Sequence, residues 1–308
     1  MEESDTKSEL LPDSEAGISR CEGYSRLIVG TTIHFLLHMP YFAMAGVLTS
    51  FNGLIGFVAL GSMWLCWCVS QFVSSVTLKL IGMKCSFILT SILYTLFTLG
   101  NFYPTWLTLI GGSALMGVGG GIIWTALLSY VTDAAKKMCL TTGKDARYVI
   151  SRFHGIVHLG YCGSALIGSL ISSAFLLPSQ LLSITIFNSS NTTELNETRV
   201  CDVETSFETT PEWATFGVLA VGLLSSISAL LLSFCIKGSA SLCYQPWSYY
   251  YISENKRKRK KSFLKTYLRV TFHPRYNFAF LISFLSGLNQ GFFFGKFSKV
   301  RVYVFVCS

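Results

Sequence analysis

The chain has 308 residues, 51% of them hydrophobic and 13% charged, and its 24 Lys and Arg outnumber 16 Asp and Glu for a formal net charge of +8. The apolar residues are gathered into long uncharged stretches, which is typical of a membrane protein and not of a soluble domain. The basic excess falls between those stretches, so it indicates loops beside a bilayer and argues against a nucleic-acid partner.

Seven stretches are long and apolar enough, or nearly so, to cross a hydrocarbon core of about 30 Å at a rise of about 1.5 Å per residue. None of them contains a Lys, Arg, Asp or Glu. In chain order they are Leu27–Thr49, Phe57–Leu78, Ser86–Tyr103, Leu107–Val131, Phe153–Leu177, Trp213–Ile236 and Phe278–Gly295. The sequence therefore predicts an all-α polytopic membrane protein, and its spans have the lipid bilayer as their partner.

The charges between the spans predict on which side of the membrane each gap lies. The gaps after spans two, four and six are basic, and the last of them includes KRKRKK at 256–261. Excess Lys and Arg marks cytoplasmic loops. The gap 178–212 is acidic and carries three N-x-S/T sequons, at Asn188, Asn191 and Asn196. Because sequons are modified in the secretory lumen, both rules predict a glycosylated lumenal loop and a cytoplasmic N-terminus.

Residues 1–26 hold seven acids and no apolar run, which predicts a disordered acidic tail in the cytoplasm. The sequence ELLP at 9–12 resembles an acidic dileucine sorting signal, although Thr6 stands where such signals have an acid. We therefore favour a solvated tail without a sorting role. We expect the protein to reside in the plasma membrane or in an endolysosomal membrane.

Six spans, a basic cytoplasmic segment and a seventh span give the layout of a major facilitator half followed by the start of the second half. Within that segment, Lys261, Lys265 and Arg269 recur every fourth residue opposite an apolar face. The pattern predicts a helix that lies in the cytoplasmic interface. The predicted parts are the tail 1–26, the six-span half 27–236, the linker 237–275, and the seventh span with a short tail at 276–308.

The fourth span is rich in glycine, and Gly117 and Gly121 form a G-x-x-x-G pair. Such pairs allow two membrane helices to approach closely through their backbones. A dinucleotide-binding loop would need a preceding strand and an acidic residue at the right distance after it, and neither is found. We therefore predict helix packing at Gly117 and Gly121, and no cofactor.

Two parts of the chain resemble the uncoordinated-93 family of major-facilitator-type proteins, and its A-type members in particular. The first is NFYPTWLTLIGGSALMGVGGGIIWTALLSYVT (101–132), followed by GKD (143–145) and VISRFHGI (149–156). The second is SFLSGLNQGFFFGKFSK (283–299), which resembles the opening of the family's seventh span. The resemblance implies a regulatory subunit of a two-pore-domain potassium channel, or an escort of nucleic-acid-sensing receptors to endosomes.

The residues favour such an accessory role over solute transport. Active facilitators carry G-x-x-x-D-R-x-G-[RK]-[RK] between spans two and three, where an Asp–Arg pair closes the cytoplasmic gate. Here TLKLIGMKCS (77–86) keeps Gly82 and Lys84 but lacks the Asp and the Arg, and no span has a carboxylate for proton coupling. A uniporter or a histidine-dependent carrier remains the alternative. No catalytic constellation outside the spans indicates an enzyme.

Histidines are the remaining ionisable candidates within the spans. His34 and His38 lie one turn apart on span one, and His154 and His158 repeat this spacing on span five. If spans one and five touch, the four imidazoles form an intramembrane polar cluster that titrates near endosomal pH. The alternative is that each histidine hydrogen-bonds a neighbouring helix and serves packing.

The last residues lead us to expect a truncated or alternatively spliced form. The sequence stops at Ser308, soon after the seventh span, whereas a facilitator normally has twelve spans. Lys296, Lys299 and Arg301 also stand on the expected lumenal side, against the charge rule that the other loops follow.

Overall fold

The computed structural model describes residues 17–51, 53–190 and 212–236. These residues form six helices and no strand. The helices are α1 (Arg20–Phe51), α2 (Gly53–Ile81), α3 (Met83–Gly100), α4 (Trp106–Thr142), α5 (Ala146–Ser190) and α6 (Glu212–Phe234). Each is long and apolar enough to cross a membrane. The prediction of an all-α polytopic membrane protein is confirmed.

Several predicted features lie outside the described residues. They are residues 1–16 of the acidic tail, the sequons at Asn191 and Asn196, the basic linker 237–275, and the seventh span. The third sequon is described as backbone only: Asn188 falls near the end of α5, which continues past the predicted limit at Leu177 to Ser190.

Helices α1, α2, α4 and α5 are longer than the predicted spans because their ends continue beyond the uncharged stretches, whereas α3 and α6 are not. α1 begins at Arg20 and not at Leu27, so residues 20–26 of the expected tail are helical. α4 continues from Val131 to Thr142. Its 37 residues correspond to about 55 Å, well beyond a hydrocarbon core of about 30 Å. Most of the predicted basic gap between spans four and five is therefore helical, and only residues 143–145 connect α4 to α5.

Local sequence explains where two of the connections turn. Gly82 (φ 80°) separates α2 from α3, and Gly143 (φ 62°) ends α4 with its N–H donating to the Cys139 carbonyl at 2.9 Å. Glycine adopts these left-handed conformations without the steric cost of a Cβ. α4 begins with a capping box, in which Thr105 and Thr108 each accept a hydrogen bond from the other's backbone N–H.

In the bundle, α4 packs along α2 and α3, and α1 packs along α5 and α6. Glycines at the α2–α4 contact leave no room for a side chain. A Cβ on Gly117 would collide with the Met63 carbonyl oxygen and would lie 2.9 Å from the Cys66 Cβ. A Cβ on Gly121 would lie 2.6 Å from the Ser70 hydroxyl oxygen. Both glycines therefore lie where the α4 backbone meets α2.

A proline in α1 is matched by a hydroxyl from α6. Pro40 is buried inside α1 and has no N–H, so the Leu36 carbonyl loses its helical donor. The Ser225 hydroxyl donates to that carbonyl at 2.7 Å. A Cβ on Gly222 would lie 3.2 Å from the Pro40 Cβ, so α6 approaches α1 closely at this point. The α6 side chain thus replaces the hydrogen bond that the proline removes.

Candidate functional site

Six side-chain rings meet inside the bundle, and five helices supply them. We call this group the ring cluster. Its members are His34 and His38 of α1, Trp67 of α2, Tyr94 of α3, Trp124 of α4 and Tyr161 of α5. Both histidines are fully buried, with 0% of their surface exposed. The two histidines of the ring cluster are therefore buried among aromatic rings inside the bundle.

The two histidines lie at the middle of the ring cluster. Their ring centroids are 4.1 Å apart. His34 meets Trp124 edge-on at 4.7 Å, and His38 meets Tyr161 edge-on at 5.3 Å. Trp67 approaches His38 from α2 at 5.9 Å. Tilted and edge-to-face arrangements at such distances are the favourable ones for aromatic pairs.

The His38 ring is held by two hydrogen bonds. Its Nδ1 lies 3.0 Å from the His34 carbonyl oxygen, and its Nε2 lies 3.2 Å from the Tyr94 hydroxyl. A carbonyl can only accept, so Nδ1 carries the proton. The Nε2 of the neutral ring then accepts the Tyr94 hydroxyl proton. This bond ties α1 to α3 across the ring cluster.

His34 differs from His38 because neither of its ring nitrogens has a hydrogen-bond partner in the described part of the chain. A buried polar group without a partner costs free energy, and no bulk water is present in a membrane interior to lower that cost. If position 34 only made contacts with aromatic rings, an apolar side chain would pack there equally well. His34 is therefore the residue of the ring cluster that packing does not explain.

The structure brings three of the four predicted histidines to this region and places the fourth apart. The His158 ring lies 5.5 Å from Trp124, which also contacts His34. His154 instead pairs its Nε2 with the Thr132 hydroxyl of α4 at 2.9 Å. His34, His38 and His158 thus converge around Trp124, whereas His154 makes a separate contact between α4 and α5.

The ring cluster has hydrogen-bonding and stacking groups but no charged partner. None of its six members is a carboxylate, a Lys or an Arg, so a protonated imidazole would have no opposite charge within the cluster. No group of three or more His, Cys, Asp or Glu within the described ranges is arranged to hold a metal ion. Apart from the unpartnered nitrogens of His34, the observed contacts are those of a packing centre. A titrating role for the histidines stays a prediction.

Sequence reasoning found the histidines but missed the aromatic members of the ring cluster. A signal was present for one of them, because Tyr161 follows His154 and His158 at the i, i+4, i+7 spacing of one helical face. Trp67 and Tyr94 lie on helices with apolar residues on most positions, so their sequence gives no preferred face. Only the packing of α2 and α3 shows that these two rings point inward.

Six apolar helices packed around a buried ring cluster define a multi-pass membrane protein of the helical-bundle class. Curated relatives then show which family the chain resembles. Protein unc-93 homolog A of Xenopus laevis is 35% identical over 104 residues, which are 34% of this chain and 23% of that protein. UNC93-like protein 3 of Arabidopsis thaliana is 28% identical over 165 residues, 53% of this chain and 35% of that protein. The predicted resemblance to the UNC-93 family, including its A-type members, is confirmed.

A third relative carries a functional description in its name. This is unc-93 of Caenorhabditis elegans, named with potassium channel regulation as its proposed role, and it is 28% identical over 154 residues, 48% of this chain and 21% of that protein. The chain thus spans about a fifth to a third of the curated relatives it matches. No family model and no solved structure matches it.

Proposed function

We propose that this chain is a non-enzymatic accessory or regulatory subunit of another membrane protein, a channel or a receptor. In this proposal its N-terminus is cytoplasmic, and it resides in the plasma membrane or an endolysosomal membrane. The observation that carries the proposal is the relationship to unc-93 of C. elegans, whose name describes a regulator of potassium channels. That name belongs to the relative, and we extend its meaning to this chain.

The position of the imidazoles supports an accessory role over transport. A facilitator binds its substrate near the bilayer midplane, at the interface between its two halves. His34 and His38 are instead fully buried within a single six-helix bundle. A solute held between two halves would not reach these rings without separation of α1 from its neighbours. The residues best suited to histidine-dependent transport are therefore poorly placed for it.

Apolar lateral faces also support the accessory role. Leu159, Leu166 and Leu170 follow one face of α5 and are largely exposed, as are Leu65 and Val69 on α2. Such faces contact lipid, further helices of a longer chain, or the helices of a partner. Association within a membrane requires shape-matched lateral surfaces and does not require a central solute path.

The test is affinity capture after cross-linking in native membranes, together with whole-cell recording from cells that express the chain beside a potassium channel. We expect the chain to capture another membrane protein at a constant molar ratio. We also expect its expression to change the potassium current or the surface abundance of that partner. Gly117→Leu serves as the control, because its misfolded product should capture nothing. A chain that captures no partner in a constant ratio and leaves both readouts unchanged would contradict the proposal.

The alternative, a solute carrier of the uniporter or histidine-dependent type, makes a different prediction in proteoliposomes. A carrier would show saturable uptake of a labelled solute. In the histidine-dependent case, His34→Leu would abolish uptake without loss of folded protein. Uptake of this kind, with no partner captured, would replace the accessory proposal with the carrier.

A further inference from the structure

A small basic pocket lies where the first residues of α1 meet the end of α4 and the beginning of α5. Its volume is about 60 Å³. Three basic side chains and two tyrosines line it: Arg20, Lys144, Arg152, Tyr24 and Tyr148. We call this the basic pocket. It lies at the helix ends that the charge pattern predicts to be cytoplasmic.

The three cations of the basic pocket have no acidic partner in the described part of the chain. The two ion pairs found there join Arg26 to Glu22 at 2.7 Å and Lys137 to Asp133 at 3.0 Å. Asp145, next to Lys144 in sequence, accepts a hydrogen bond from the Arg147 backbone N–H at 3.1 Å. No carboxylate of the described residues lines the pocket. Three cationic side chains are therefore gathered there without an ion pair to a described residue.

The walls of the basic pocket come from separate elements whose relative positions are fixed by backbone contacts. The Ile18 N–H donates to the Lys137 carbonyl at 3.2 Å, and the Thr141 hydroxyl donates to the Ile18 carbonyl at 2.6 Å. These bonds hold the chain before α1 against the end of α4. The left-handed turn at Gly143 then directs Lys144 toward α5. The cations are thus held together by the fold and not by a shared flexible loop.

The beginning of α5 borders the basic pocket. α5 starts at Ala146, and Tyr148 in its first turn lines the pocket. The first N–H groups of a helix lack intrahelical acceptors and carry a partial positive charge. The Asp145 carboxylate already accepts a hydrogen bond from one of these groups, the Arg147 N–H. The positive potential of the pocket therefore comes from its three cationic side chains.

We propose that the basic pocket binds the phosphate of an anionic lipid headgroup, with a phosphomonoester such as that of a phosphoinositide as the preferred group. One Arg guanidinium can donate two parallel hydrogen bonds to two oxygens of the same phosphate. A Lys ammonium adds a compact positive charge. A volume of about 60 Å³ holds about four or five water-sized groups, so it accepts a phosphate but not a whole headgroup. Basic pockets between membrane helices on the cytoplasmic side are suited to anionic lipids. The proposal rests on the predicted orientation.

The experiment uses the full 308-residue chain in nanodiscs of three compositions: phosphatidylcholine alone, with phosphatidylserine, and with phosphatidylinositol bisphosphate at matched net charge. Native mass spectrometry measures the lipid retained. We expect retention of the bisphosphate at least tenfold above retention of phosphatidylserine. The R20Q/R152Q variant should lose this preference.

The matched control is K84Q/K136Q, which removes two basic residues outside the basic pocket and should keep the preference. KRKRKK at 256–261 is present in every variant, so its general attraction to acidic membranes contributes equally. Lys144→Gln is a milder pocket variant should the double variant fail to fold, and it should lower the preference in part. Equal retention at matched charge, or equal loss in pocket and control variants, would overturn the proposal.

A last arm separates a lipid from a soluble phosphate. Inositol trisphosphate and inorganic phosphate are titrated against the chain in phosphatidylcholine nanodiscs. A lipid site should bind them at least tenfold more weakly than the bisphosphate in the membrane, because a soluble ligand lacks the anchoring acyl chains. Equal affinity for inositol trisphosphate would overturn the lipid assignment in favour of a soluble ligand.

Discussion

At the scale of single residues, the membrane interior makes the hydrogen-bond partner of each polar atom decisive. Pro40 removes a donor from α1, and the Ser225 hydroxyl supplies another from α6. The same requirement applies to His38, whose two ring nitrogens are both engaged, and sets it apart from His34, whose nitrogens are not. Replacement of His34 and replacement of His38, which lie one turn apart on α1, should therefore affect the stability of the bundle differently.

Ser225→Ala should destabilise the bundle by about 1 kcal/mol, since it leaves the Leu36 carbonyl without a donor in the membrane. Ser228→Ala is the control, because the Ser228 hydroxyl is exposed and bonds only the Leu224 carbonyl of its own helix. The measurement is unfolding in detergent, followed by circular dichroism. In a Pro40→Ala background, where the backbone donor returns, the cost of Ser225→Ala should shrink. An equal cost in both backgrounds would disprove the compensation.

His38→Leu and His34→Leu should change the free energy of unfolding differently. His38→Leu leaves the Tyr94 hydroxyl without its partner and should cost about 1–3 kcal/mol. His34→Leu removes two unpartnered nitrogens from an apolar site and should be neutral or stabilising. Unfolding midpoints of the purified variants provide the measurement. If His34→Leu were as destabilising as His38→Leu, His34 would have a hydrogen-bond partner that the described residues do not provide.

At the scale of helices, glycine decides how closely α4 approaches α2. Gly117→Ala should destabilise the fold by about 1–3 kcal/mol, because its Cβ collides with the rigid Met63 backbone. Gly111→Ala is a matched control on the same helix: a Cβ there meets nothing within 4 Å. That change should stabilise α4 by up to about 1 kcal/mol, since alanine favours helix over glycine. Thermal unfolding in detergent should separate the two. Equal effects would place the α2 contact on another face.

The first six spans could be predicted because hydropathy and length alone limit what can cross a bilayer. Their ends could not, since α4 continues through Asp133, Lys136 and Lys137, where helical hydrogen bonding goes on after the apolar stretch stops. The histidine spacing predicted a common face, but not that His34 and His38 point into the bundle while His158 is exposed. A nearly uniform apolar sequence has no hydrophobic face to fix a helix's rotation, so neighbouring helices decide it.

At the scale of the whole molecule, its orientation determines what the basic pocket can meet. A cytoplasmic N-terminus places Arg20, Lys144 and Arg152 beside the leaflet that carries anionic lipids. It also places the acidic segment between α5 and α6 in the secretory lumen. The orientation and the lipid proposal can therefore be tested from opposite sides of the membrane.

The three sequons give the most direct test of this orientation. Asn196 should be the main glycosylation site, because it lies farthest along the chain from both flanking spans, whereas Asn188 falls within α5 and sequons are used in loops. An N-glycosidase should increase the gel mobility of the protein expressed in mammalian cells. Asn196→Gln and Thr198→Ala break the same sequon and should each remove most of that shift. The triple Asn→Gln variant, which also changes Asn191, should remove all of it. A wild-type protein without glycan in these cells would reverse the orientation, and the basic pocket would then face the lumen, away from the lipids proposed to fill it.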